Sequence, residues 1–85
     1  MKWAVCDVPE ICDQYVGVFD SSATKRKIKD AFKKRVAKEL RKRGFDKIQH
    51  ESEWDSAMEQ VENNVEITSM RPNRVYEIDY FGNCG

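Results

Sequence analysis

Residues 24–47 read TKRKIKDAFKKRVAKELRKRGFDK, and this stretch decides the fold. Its apolar side chains recur at every fourth position, at Ile28, Phe32, Val36 and Leu40. This spacing places them on one stripe of an α-helix, so the sequence predicts a helix that buries that stripe against a core.

Both ends of this helix have sequence signals. Asp20, Ser21 and Ser22 are of the residue types that cap helix N-termini. At the other end, Gly44 stands where a left-handed residue ends a helix. Phe45 follows it, in the position that makes an apolar contact with Leu40 in such a helix end. We therefore predict a helix over about residues 22–43.

Positive charge is concentrated in this helix, although the 85-residue chain has a formal net charge of 0. Twelve of the 15 Lys and Arg residues lie between residues 25 and 47, beside three acidic residues, so this segment carries about +9. Residues 1–24 carry about −3 and residues 48–85 about −6. Such segregation indicates charged partners more than it indicates a fold.

Several cations project from the helix on the side opposite its apolar stripe. At 100° per residue, the following four lie within an arc of about 60° and are named the basic arc: Lys27, Lys34, Lys38 and Arg41. Arg26 and Lys42 lie on its margins. Like charges four residues apart destabilise a helix by roughly 0.2–0.5 kcal/mol per pair, so stability alone does not explain the arc. Arg35 and Glu39 form an opposite pair and are predicted to be structural.

The basic arc has two interpretations. A helix that presents four to six cations over about 25 Å can neutralise several phosphates and release their counterions. Alternatively, these cations pair within the molecule with an acidic segment that contains Glu51, Glu53, Asp55, Glu59 and Glu62. Composition favours neither interpretation.

The downstream sequence predicts a second, shorter helix and a hairpin. Apolar residues at helical spacing, Trp54, Ala57, Met58 and Val61, predict a helix over about residues 53–62, with Ser52 and Asp55 as a capping box. The segments VEITSM and VYEIDYF then alternate around a turn at residues 71–74, which predicts a hairpin. Arg71 and Arg74, at its tip, are secondary binding candidates.

Residues 2–8 predict a strand, in which Trp3 and Val5 alternate with Lys2 and Ala4. Residues 9–19 allow two structures: a short helix with Pro9 in its first turn, or a turn that leads into a strand over residues 15–19, which β-branched and aromatic content slightly favours. The fold class is therefore α+β. We expect a single domain over residues 1–85, with both helices packed on an antiparallel sheet of three or four strands.

Cys6, Cys12 and Cys84 are an odd number of cysteines at no disulfide-scaffold or zinc spacing, so we expect reduced thiols and no metal site. The N-terminus lacks the apolar run of a signal peptide, and no stretch is apolar enough to span a membrane. These features predict a cytoplasmic protein.

The sequence contains no catalytic motif and no glycine-rich phosphate loop, which predicts a non-enzymatic protein without a cofactor or a small-molecule substrate. We expect an intracellular binding module whose basic helix contacts nucleic-acid phosphates. The alternative is a small accessory protein, of the viral or phage type, that inhibits or modulates a larger protein machine. Its partner would then be an acidic protein surface.

Overall fold

The computed structural model describes residues 1–76. Its elements are β1 (Lys2–Val8), β2 (Asp13–Phe19), α1 (Lys25–Lys42), α2 (Glu51–Asn64) and β3 (Val65–Ser69), with a 3₁₀ turn at Pro9–Ile11. The strand order is β2-β1-β3, and β1 is antiparallel to both neighbours. Both helices contribute to one core with β1, which confirms the small α+β fold and a count of three strands within residues 1–76.

The predicted apolar stripe of α1 forms the centre of the core. Ile28, Val36 and Leu40 are completely buried, and Phe32 is 4% exposed. The Phe32 ring meets Phe19 of β2 edge-to-face, with ring centroids 5.9 Å apart. The helix therefore packs on the sheet in the orientation that the four-residue spacing predicts.

The C-terminal stop of α1 is confirmed, and the predicted N-cap is wrong. Gly44 has φ +87°, and the Phe45 amide donates to the Leu40 carbonyl at 2.9 Å, as a Schellman motif requires. At the other end Thr24 caps the helix by accepting from the Lys27 amide at 3.1 Å. Residues 20–22 instead form a turn in which the Ala23 amide donates to the Asp20 carbonyl at 3.0 Å, so the helix begins later than expected.

β1 presents its smaller side chains to the helices. Ala4, Cys6 and Val8 belong to the core cluster. Trp3 and Val5 alternate with them along the strand and, with their cross-strand partners, lie on the face of the sheet that points away from the helices. Small side chains on the helix-facing side allow α1 and α2 to approach the sheet closely.

The two structures left open for residues 9–19 resolve in favour of the strand. A 3₁₀ turn at Pro9–Ile11 and a left-handed Cys12, φ 55°, lead into β2, which begins two residues earlier than predicted. α2 likewise begins two residues early. His50 is at its N-cap and its side chain makes no capping hydrogen bond to the helix, so the predicted Ser52–Asp55 capping box is wrong.

The first strand of the predicted hairpin is confirmed as β3, which pairs with β1 along residues 65–69. A turn follows at residues 72–73, where Asn73 has φ 62°. The predicted second strand lies outside the described residues except for Val75 and Tyr76, which are not in a strand.

The prediction of three reduced thiols is confirmed for Cys6 and wrong for Cys12. Cys6 is free and buried, and burial raises the pKa of its thiol from 9.0 to about 11. Cys12 is disulfide-bonded. Cys84 lies outside the described residues.

We expect Phe32→Ala to lower the free energy of unfolding by about 3–5 kcal/mol, because it leaves a cavity between α1 and β2. Urea titration followed by circular dichroism measures the loss. Lys34→Ala is the matched control: it alters an exposed position of the same helix and should change stability by less than about 0.5 kcal/mol. Equal stability of the two variants would show that the stripe is not the core.

We also expect the Cys6 thiol to resist iodoacetamide in the native protein at about pH 8, because a thiol with its pKa raised by burial is mostly protonated and inaccessible. Peptide mass mapping of samples alkylated with and without urea measures this directly. Modification of Cys6 at the same rate in both samples would contradict its burial.

Candidate functional site

One carboxylate pairs with three cations on the flank of α1 that faces α2. Glu62 of α2 accepts from Arg26 Nη2 at 3.0 Å, and the ammonium nitrogens of Lys33 and Lys29 lie 2.9 and 3.6 Å from its oxygens. The contact with Lys33, followed by those with Arg26 and Lys29, lowers the pKa of Glu62 from 4.5 to about 2. Arg26 also pairs with Asp30 at 3.5 Å.

A second ionic cluster fixes the C-terminal end of α1 to the start of β2. Arg43 donates to Glu39 at 2.9 Å, to Asp13 at 2.9 Å and to the Ile11 carbonyl at 2.7 Å. Arg35 lies 3.4 Å from Glu39, as predicted for this pair. The side chain of Arg43 therefore serves the fold. Sequence reasoning missed this because Arg43 and Asp13 are 30 residues apart.

The basic arc lies between these paired regions and on the outside of α1. All four of its side chains are exposed, and none forms an ion pair with any residue of the described range 1–76. At 1.5 Å per residue, Lys27 and Arg41 lie about 21 Å apart along the helix. The structure thus brings the predicted cations together as one stripe. Lys42, on the margin of the arc, is also exposed and lacks an ion pair within residues 1–76.

Arg41 is held more firmly than the lysines of the arc. Its guanidinium carbon lies 5.4 Å from the centre of the Trp54 ring, a cation–π contact. Trp54 is 5% exposed, and its indole N–H donates to the Phe45 carbonyl at 3.1 Å. The ring is therefore fixed beneath Arg41. This contact connects α1 to α2, and the periodicity of one helix gives no signal for it.

Intramolecular pairing accounts for only part of the positive charge. Within the acidic segment of α2, Glu62 is the one residue that pairs with α1 in the part of the chain that the structure describes. The other four carboxylates, Glu51, Glu53, Asp55 and Glu59, form no ion pair there. The neutralisation interpretation therefore applies to Arg26, Lys29 and Lys33 and does not extend to the basic arc.

Arg71 and Arg74 lie in the exposed turn region after β3. The Arg71 amide donates to the Tyr76 hydroxyl at 2.9 Å, which ties this turn to the following residues. Neither arginine forms an ion pair with another residue of the described range, and the binding role predicted for them stays a prediction.

Within residues 1–76, no group of three or more His, Cys, Asp or Glu side chains is placed to hold a metal ion. None of the described helices is long and apolar enough to cross a membrane. No protein-family model, curated protein or solved structure matches the chain.

We expect Glu62→Gln to destabilise the protein near neutral pH and to have little effect near pH 2. The folded-state pKa of Glu62 lies below the ordinary value of 4.5, so its contribution is present above about pH 4.5 and is lost as the pH falls towards about 2. Urea midpoints of the unmodified protein and of Glu62→Gln, taken across this pH range, measure the difference in stability. Glu59→Gln, which removes an unpaired carboxylate from the same helix, is the control. A pH-independent difference would contradict the ionic role of Glu62.

Proposed function

We propose that the protein is a non-enzymatic module that binds nucleic acid through the basic arc. The observation that carries this proposal is the division of charge on α1: the cations of the flank that faces α2 are paired with Glu62, whereas Lys27, Lys34, Lys38 and Arg41 form no ion pair within residues 1–76. Adjacent like charges cost helix stability, so a partner that neutralises them accounts for their presence better than folding does.

The dimensions and chemistry of the arc suit a phosphate backbone. A duplex carries one negative charge per roughly 1.7 Å of axis, so a cationic stripe about 21 Å long meets several phosphates. The three lysines act as mobile point charges, and Arg41, preorganised on Trp54, offers a planar fork that suits a phosphate. Lys42, which forms no ion pair within residues 1–76, adds charge at one margin, whereas Arg26 at the other margin is paired with Glu62 and Asp30.

A protein partner is the second proposal, and the acidic side of α2 supports it. The unpaired carboxylates of α2 and the basic arc of α1 give the domain two oppositely charged surfaces. Such a distribution suits an accessory protein that docks on a larger protein by electrostatic steering and blocks or modulates it.

The cytoplasmic location also remains a proposal. The disulfide at Cys12 argues in the opposite direction, because reducing compartments keep most thiols reduced.

For the leading proposal, we expect Lys34→Glu/Lys38→Glu to weaken nucleic-acid binding on all sequences alike, because phosphate contacts do not read bases. In the unmodified protein, the logarithm of the affinity for duplex DNA should fall with the logarithm of salt concentration at a slope of about −3 to −4, as expected for four phosphate contacts. Fluorescence anisotropy at several salt concentrations measures both quantities.

The matched control is Lys25→Glu/Lys47→Glu, which changes the net charge equally at exposed positions outside the arc. This control should retain most of the affinity, and circular dichroism should show both variants folded. Equal weakening in the two variants would indicate net charge alone, and undetectable binding at low salt would refute the nucleic-acid proposal. Loss of an acidic protein partner in the arc variant would assign the arc to a protein interface.

A further inference from the structure

A cleft lies between α1 and β2, beside the basic arc. Alternate residues of β2 face the helix, so the rings of Tyr15 and Phe19 lie on the same side as Gly17. The cleft has two open parts of about 310 and 260 Å³, and Phe19 lines both. Lys27 borders the larger part together with Asp20, and Arg35 borders the smaller part.

The smaller part of the cleft exists because two small residues face it from opposite sides. Ala31 of α1 is exposed there, and Gly17 of β2 has no side chain to displace the Phe19 ring, which lies over it. A Cβ atom at Gly17 would lie 2.8 Å from Phe19 Cε2 and 3.6 Å from Phe32 Cζ, so a side chain at this position would collide with the lining. The open space therefore depends on the residue type at both positions.

Two cations of α1, Lys27 and Arg35, lie at the rim of this cleft. On the helix wheel, Ala31 and Arg35 follow the basic arc on the side opposite Arg26 and Lys33. On that opposite flank, Arg26 and Lys33 are already paired with Glu62. On the cleft side, the Arg35 guanidinium, which also pairs with Glu39, lies 5.2 Å from the centre of the Tyr15 ring and offers a second planar surface beside it.

We propose that the preferred ligand is single-stranded nucleic acid, bound with its phosphates along the basic arc and one base in the cleft that Tyr15, Gly17 and Ala31 line. This inference rests on the proposed function and specifies its substrate class. The smaller part of the cleft has a volume of about 260 Å³, slightly below the roughly 300–1,000 Å³ of drug-sized ligand sites. This volume suits a single planar ring. Bases in a duplex are stacked and paired, whereas a single strand can turn one base onto an aromatic side chain or an arginine plane.

Ala31→Leu tests the cleft without changing charge. The larger side chain fills the space, and leucine is a good helix former, so α1 should be retained. Asn63→Leu is the matched control, because it adds an apolar side chain at an exposed position of α2. The probes are a labelled oligothymidine of about ten nucleotides, within the usual site size, and a duplex of the same length. Anisotropy at one salt concentration gives the dissociation constants.

The unmodified protein should bind oligothymidine more tightly than the duplex. Ala31→Leu should weaken oligothymidine binding roughly fivefold to a hundredfold, as expected for the loss of one stacked base, and should leave duplex binding unchanged. Tyr15→Leu should behave like Ala31→Leu, whereas Tyr15→Phe, which keeps the ring, should retain binding. Asn63→Leu should match the unmodified protein, and circular dichroism reports the folding of each variant.

Two results would overturn the inference, and they differ in what else they refute. Equal affinity for both probes with no effect of Ala31→Leu, while Lys34→Glu/Lys38→Glu still weakens binding, would refute the cleft and leave the basic arc as a phosphate-binding surface. If the unmodified protein binds neither probe at low salt, then both this inference and the proposed function are wrong.

Discussion

The structure depends on the burial of one stripe of α1 against the helix-facing side of the sheet. Ile28, Val36 and Leu40 are fully buried beside the small side chains that β1 presents, and Phe32 packs on Phe19. Because successive helical residues are 100° apart, fixing this stripe also fixes the direction of every other side chain of α1. The outward position of the basic arc is therefore a consequence of core packing.

Ion pairs then separate the outward cations of α1 into a paired flank and the unpaired basic arc. Glu62 pairs with the cations on the side of α1 that faces α2, and Arg43 joins the end of the helix to Asp13 and the Ile11 carbonyl. These contacts are partly exposed, so salt weakens them, and their main effect is to hold two elements in register. What remains is a positive stripe with an acidic helix on one side and an aromatic cleft on the other. The proposed binding of a single strand along the arc and in the cleft rests on this arrangement.

The sequence predicted features that depend on local spacing. The stripe of α1 and its Gly44 stop are confirmed because periodicity and capping are local properties. The cap at Thr24 was missed because three suitable residues stand just upstream, and tertiary contacts decide among them. The contacts of Arg41 with Trp54 and of Arg43 with Asp13 join residues distant in sequence, so no pattern signals them. The cleft beside Gly17 likewise appears only after β2 is placed against α1.

The most direct test of the division of charge on α1 is an NMR titration with oligothymidine, in which the backbone amide resonances of the isotope-labelled protein are monitored. We predict that the largest shifts fall on the outward residues of α1 and on β2 near Gly17, and that residues 51–60 of α2 shift little. The largest shifts on α2, or shifts spread evenly over the surface, would contradict a binding surface formed by the basic arc.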